Sequence, residues 1–194
     1  MSKIIFVHGA SSTPESFNFI CQNLPEHERI NFKYDSSIPL EYLVEEFIGF
    51  VEPGHNYQIV AHSLGGLVAT AASYALPSGS ISRMAIMSTP FAGSKAAGYL
   101  KWLFPKYGLF DSVADSNSVV LTIQNRGAIV PTLTVITSGG EIPLIKGPND
   151  GVVSVDSQVS LRNCEKKIFR LNHFEVLLSY DVVKAIKEYL WQSA

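Results

Sequence analysis

With 194 residues, 46% of them apolar and only 16% charged, the chain can bury one substantial core and is not a disordered polypeptide. A net charge of −2 and a pI near 6.2 leave no basic footprint for nucleic acid. No apolar run reaches the roughly 18 residues of a membrane-spanning helix, and Cys21 and Cys164 make neither a disulfide framework nor a metal spacing.

Met1-Ser2-Lys3 leads directly into an apolar run, so no signal peptide is expected and a reducing, cytoplasmic compartment is the simplest reading. Lys3–Val7 is continuous enough to predict a central strand covered on both faces. It ends in the small-residue loop His8-Gly9-Ala10-Ser11-Ser12-Thr13-Pro14. Ser16–Leu24 predicts a short helix with Phe17, Ile20, Cys21 and Leu24 on one face, which makes Cys21 a buried small hydrophobe. Ile30–Tyr34 is a weaker strand. Pro39–Val51 predicts an amphipathic helix, with Leu40, Leu43, Val44, Phe47, Ile48 and Val51 inward and Glu41, Glu45 and Glu46 off that face.

The stretch Tyr57–Gly66, YQIVAHSLGG, organises the rest. A short apolar strand (Ile59, Val60, Ala61) runs into His62-Ser63, and helical spacing follows at once through Leu64, Leu67, Val68, Ala71, Ala72 and Ala75. A strand that becomes a helix with no loop needs a strained apex flanked by small residues, here Ala61 and Gly65. Such a turn raises the Ser63 hydroxyl above the sheet, beside the positive end of the following helix.

Beyond it, Ile81–Met87, Thr132–Thr137 and Lys167–Leu171 predict three more strands, and about Tyr180–Trp191 a final helix. Alternating strands and helices predict an α/β protein: a single domain spanning 1–194, mainly parallel and doubly wound, with helices on both faces. Residues 91–130 are long for one crossover. They predict either a crossover helix with a long loop or a small cap, in which the aromatic Tyr99–Phe110 stretch covers Ser63 and lines an acyl pocket.

A serine hydroxyl needs a base, and the base needs a third group to hold it. In open α/β sheets these gather at the carboxyl ends of the strands. Of five histidines, His8 sits in a turn that it helps to shape, His27 and His55 lie in polar surroundings expected to be solvated, and His62 points away from the apex. His173, just past a strand and before the last helix, is the expected base. The acid is expected in Asn149–Asp156. Asp150 leads there, before a glycine that permits a sharp bend, with Asp156, Glu175 and Glu141 as rivals. The oxyanion donors are expected to be the N–H groups of Leu64 and of Ala10, with Ser11 as the alternative to Ala10.

The order Ser63…Asp150…His173, with AHSLGG, STPFAGS (Ser88–Ser94), NDGVVS (Asn149–Ser154) and NHFEVLLS (Asn172–Ser179), resembles the small lipases and esterases of the α/β-hydrolase superfamily along nearly the whole chain. Ala61 replaces the first glycine of the usual elbow, a departure known among minimal lipases. The resemblance implies an α/β-hydrolase fold, a Ser63–His173–Asp150 triad acting on an acyl ester or lipid-like substrate, and no metal or organic cofactor. Thioester hydrolysis or acyl transfer would use the same residues. Ligand binding without turnover, and action at a lipid surface without stable insertion, are the competing readings.

Overall fold

The computed structural model describes residues 2–93, 116–143 and 145–192. Six strands form one wholly parallel sheet: β1 (Ser2–Val7), β2 (His27–Phe32), β3 (Tyr57–His62), β4 (Ile81–Met87), β5 (Thr132–Thr137) and β6 (Glu165–Phe169). Their order is β2-β1-β3-β4-β5-β6. The chain steps outward from β1 to β2, then returns to the other side of β1 and continues away from it. Loops leaving β1 and β3 therefore diverge, and they open a crevice at the carboxyl ends of those strands.

Side chains alternate across the sheet as the period of two requires. Ile5, Val7, Ile59, Ala61, Met84 and Ile86 face one core with helices α2 (Leu40–Phe50), α3 (Leu64–Ser73) and α4 (Ser118–Arg126). Ile4, Phe6, Val60, Ala85, Leu133 and Val135 face a second core. That one is closed by α1 (Asn18–Asn23), which follows a single 3-10 turn, and by the terminal α6 (Tyr180–Leu190); the short α5 (Val155–Gln158) lies between β5 and β6. In α2 the expected face is buried at Leu40, Leu43 and Phe47, each contributing about 2 kcal/mol, while Val44 and Ile48 lie at its margin. In α3 nearly every residue is buried, because the helix lies between α2 and α4 as well as on the sheet.

Several expectations need correction. Strand β2 runs from His27 to Phe32, not Ile30–Tyr34, and β6 from Glu165 to Phe169, not Lys167–Leu171. Both are edge strands with partly exposed faces, so their apolar signal is thin. His27 is not solvated: it is half-buried, its Nδ1–H donates to the Pro25 carbonyl at 2.7 Å, and its Nε2 lies 3.2 Å from Cys21 Sγ. Cys21 is itself only half-buried, against the second core. Of the long 91–130 stretch, α4 supplies a crossover helix capped by Asn117 Oδ1, which accepts from the N–H groups of Val119 and Val120. The Tyr99–Phe110 segment lies outside the described residues. Among the described residues, no helix is long and apolar enough to cross a membrane.

Candidate active site

Ser63 is the residue between β3 and α3, and its backbone is held at φ 52°, ψ −120°. A non-glycine residue there is strained, at a cost of about 1–3 kcal/mol that the surrounding structure must offset. The restraints are visible. Its N–H donates to the Met87 carbonyl at 2.9 Å, and its carbonyl accepts from Thr89 Oγ1 at 2.9 Å and from the Gly66 N–H at 3.0 Å. The turn is thus tied to the end of β4 as well as to its own helix.

From this apex a line of hydrogen bonds leads through the other two expected residues. Ser63 Oγ lies 3.1 Å from His173 Nε2, and His173 Nδ1 lies 2.8 Å from Asp150 Oδ2. Both partners are buried, and Ser63 is half-exposed in the crevice. A carboxylate can only accept, so Nδ1 carries the proton and Nε2 is left as the acceptor that faces the hydroxyl.

The Asp150 carboxylate is fully engaged. Oδ1 accepts from the N–H groups of Val152 (2.9 Å) and Val153 (2.7 Å), within a turn that Gly151 closes at φ 93°. Oδ2 accepts from Thr137 Oγ1 at 2.7 Å and from Gln158 Nε2 at 3.3 Å, besides His173. Thr137 is in turn 2.8 Å from Ser88 Oγ. Burial works to raise the Asp150 pKa and is the largest single effect on it. The His173 hydrogen bond and charge, the Val153 N–H and Thr137 together outweigh it and hold the carboxyl below its ordinary range.

The rivals are placed elsewhere. Asp156 and Glu141 are exposed. Glu175 accepts from the Asn172 N–H at 2.8 Å while Asn172 Oδ1 accepts from the N–H of Glu175 at 2.9 Å, a reciprocal cap on the turn after His173. His55 is exposed, as expected, and His8 stacks on Tyr34 while its Nδ1–H donates to the Gly9 carbonyl.

The N–H of Leu64 opens α3, so no turn of that helix supplies it with an acceptor. In the loop after β1, the Ser11 N–H is taken up by Ser36 Oγ at 3.1 Å, which leaves Ala10 as the better candidate of the two. That loop lies directly against the elbow. A Cβ added to Gly9 would stand 3.2 Å from Ser63 Cβ and 2.9 Å from His62 Nδ1.

Thr137, Gln158 and His62 are the participants that sequence reasoning missed. A lone threonine closing a strand and a glutamine in a four-residue helix carry no spacing signal. His62, in the elbow itself, donates from Nε2 to the His173 carbonyl at 2.9 Å. Burial, and then the nearby charge of His173, pull its pKa down to about 3. The unfolded chain takes up that proton near pH 6.5, so between these values the unfolded state binds more protons and stability falls as pH falls. His8, lowered chiefly by burial, acts in the same sense, and Asp150 does so at more acidic pH. The unfolding free energy from urea titration should therefore drop from pH 6 to pH 4, at about 1 kcal/mol per pH unit, with a shallower slope in His62→Gln. Stability unchanged over that range would contradict a neutral, buried His62.

No protein-family model and no curated protein sequence matches the chain. Solved structures do. The chain is similar to the mature lipase BlEst2 of Bacillus licheniformis, with a TM-score of 0.77 at 14% identity over 96% of this chain and 91% of that one. A lipase-esterase related protein of Clostridium acetobutylicum matches with a TM-score of 0.69 at 13% identity, over 97% and 94%. A structure from a study of carboxylesterases of Nitrososphaera gargenis matches with a TM-score of 0.71 at 10% identity, over 97% and 89%. At such identities the likeness is one of architecture: the chain has the α/β-hydrolase fold.

Proposed function

We propose that the protein is a serine hydrolase of carboxylic esters, with Ser63 as nucleophile, His173 as general base and acid, and Asp150 as the group that orients and stabilises His173. The observation that carries this reading is the unbroken line Ser63 Oγ–His173–Asp150, with spacings of 3.1 and 2.8 Å, at the carboxyl ends of the strands, near the crevice where the strand order reverses. Its chemistry follows from the groups present. As Ser63 Oγ attacks the acyl carbonyl carbon, its proton passes to His173 Nε2 and the carbonyl π pair moves onto oxygen. The N–H groups of Leu64 and Ala10 receive that oxyanion. Collapse of the tetrahedral species expels the alcohol, which takes the proton from His173, and Ser63 is left acylated. Water activated by His173 then releases the acid.

Phe174 stands edge-on to the His173 ring at 5.3 Å and is exposed beside it, which favours an apolar, lipid-like ester. The lipase and esterase structures that share the fold support the same class. One domain over 1–194 is the organisation that accompanies this reading. The free thiols of Cys21 and Cys164 fit a reducing compartment such as the cytoplasm.

The test is hydrolysis of p-nitrophenyl esters from acetate to dodecanoate, with Ser63→Ala as background, together with fluorophosphonate labelling. Turnover above that background, with the label on the peptide containing Ser63, is expected. Folded protein that neither turns over nor labels would overturn the proposal.

A further inference from the structure

We infer that His62 is a positioning residue of this site, whose imidazole N–H holds the backbone of His173 in register with the nucleophile; this rests on the hydrolase reading above. His62 ends β3, is 2% exposed and immediately precedes Ser63. Its Nε2 lies 2.9 Å from the His173 carbonyl, and a carbonyl can only accept, so the ring is the Nε2–H tautomer. The two imidazole rings also pack together, with centroids 4.8 Å apart and planes at 52°.

The neighbouring backbone bond gives this contact its weight. The His173 N–H donates to the Asp150 carbonyl at 2.9 Å. The base is therefore held on its N-terminal side by the residue that supplies the acid, and on its C-terminal side by the residue that precedes the nucleophile. Residues 170–174 belong to no helix or strand, so no ladder of regular bonds substitutes for these two. The other edge of the His62 ring meets the loop after β1, where Nδ1 occupies the space that a Cβ on Gly9 would need. One side chain thus touches the base, adjoins the nucleophile and abuts the loop that carries Ala10.

A space-filling role alone would favour an apolar residue, because burying two ring nitrogens is costly and Nδ1 has no hydrogen-bond partner among the described residues. The donor at Nε2 is the part that an apolar residue lacks. Neutrality matters as well. With its pKa near 3, His62 stays uncharged while His173 becomes imidazolium during attack, so no like charge opposes that step. Loss of the donor would let His173 drift from its 3.1 Å approach to Ser63, and small misplacements of a reacting group cost about 10–100-fold in rate.

The experiment compares wild type, His62→Leu and His62→Gln, whose amide N–H can reach the same carbonyl, for p-nitrophenyl ester kinetics and fluorophosphonate labelling rate. His62→Leu is expected to lower kcat and labelling by about 10–100-fold with KM within about twofold, and His62→Gln to recover most of the loss. Equal losses in both variants, or a Leu variant as fast as wild type, would overturn the inference while leaving the hydrolase reading intact. Failure of wild type itself to label would instead sink that parent reading. Should His62→Leu not fold, 15N histidine spectra of wild type decide the matter. The resonance absent from His62→Gln should show a neutral Nε2–H ring from pH 8 to pH 5, and an Nδ1–H ring or titration near pH 6.5 would refute the assignment.

Discussion

Asp150→Asn should lower kcat by about 10³–10⁴-fold with a far smaller effect on KM, because it reverses the proton arrangement that makes His173 a base. The carboxylate accepts at every contact: two backbone N–H groups on Oδ1, and Thr137, Gln158 and His173 on Oδ2. An asparagine must place its NH₂ on one side or the other. Turned toward His173, the amide drives the ring into the tautomer with Nε2–H, which has no lone pair to take the Ser63 proton. Turned toward Val152 and Val153, it sets donor against donor at 2.9 and 2.7 Å. The variant should therefore also lose about 1–3 kcal/mol of stability, the cost of leaving buried donors without an acceptor. Steady-state kinetics and urea unfolding of the same preparation check both effects. An Asn variant within tenfold of wild type in kcat would remove Asp150 from the mechanism.

Gly65→Ala should leave little folded protein. A Cβ there would stand 2.2 Å from the Val7 carbonyl oxygen and 2.5 Å from that of His8. Both contacts are backbone, at the end of a central strand whose Ile4–Val7 segment is held between β2 and β3, so neither can yield cheaply. Overpacking in a core usually costs about 1–3 kcal/mol, and a clash with fixed backbone on this scale should exceed it. Against a total stability of about 5–15 kcal/mol that loss is decisive. Gly66→Ala is the informative companion. Its clashes, 2.0 Å to Thr89 Oγ1 and 2.4 Å to Ile86 Cγ2, are with side chains that can rotate or shift, at the expense of the Thr89 bond to the Ser63 carbonyl. Soluble yield and urea midpoints should rank wild type, then Gly66→Ala, then Gly65→Ala. A Gly65→Ala protein as stable as wild type would mean that the elbow packs differently.

What could be read from sequence followed the distribution of burial. The four inner strands are legible because each carries a buried, mostly apolar stretch (Ile4–Val7, Ile59–Ala61, Met84–Met87 and Leu133–Ile136), and β4 and β5 occupy the expected residues. The two edge strands, HERINF and EKKIF, carry mostly polar side chains and were displaced by two or three residues. Within the site, Ser63 was legible from the local constraint of a strand–helix turn, and Asp150 and His173 from their positions after strands in a fold whose chemistry collects at one end of the sheet. Thr137, Gln158 and the His62 bond were not. Each acquires its role only when loops after β3, β5 and β6 converge, and that convergence leaves no periodic trace. Glu175 shows the reverse: a carboxylate two residues from His173 in sequence is spent on capping a turn.

The contacts that assemble the site span great distances along the chain. Ser63 and His173 are 110 residues apart, His62 and His173 are 111, and the path from Ser88 through Thr137 to Asp150 joins three further segments. Closing loops of that size is slow, and such contacts form only once most of the sheet is in place. On the proposed reading, an intermediate that lacked β6 would hold Ser63 without its base, and reactivity would arrive together with the completed sheet.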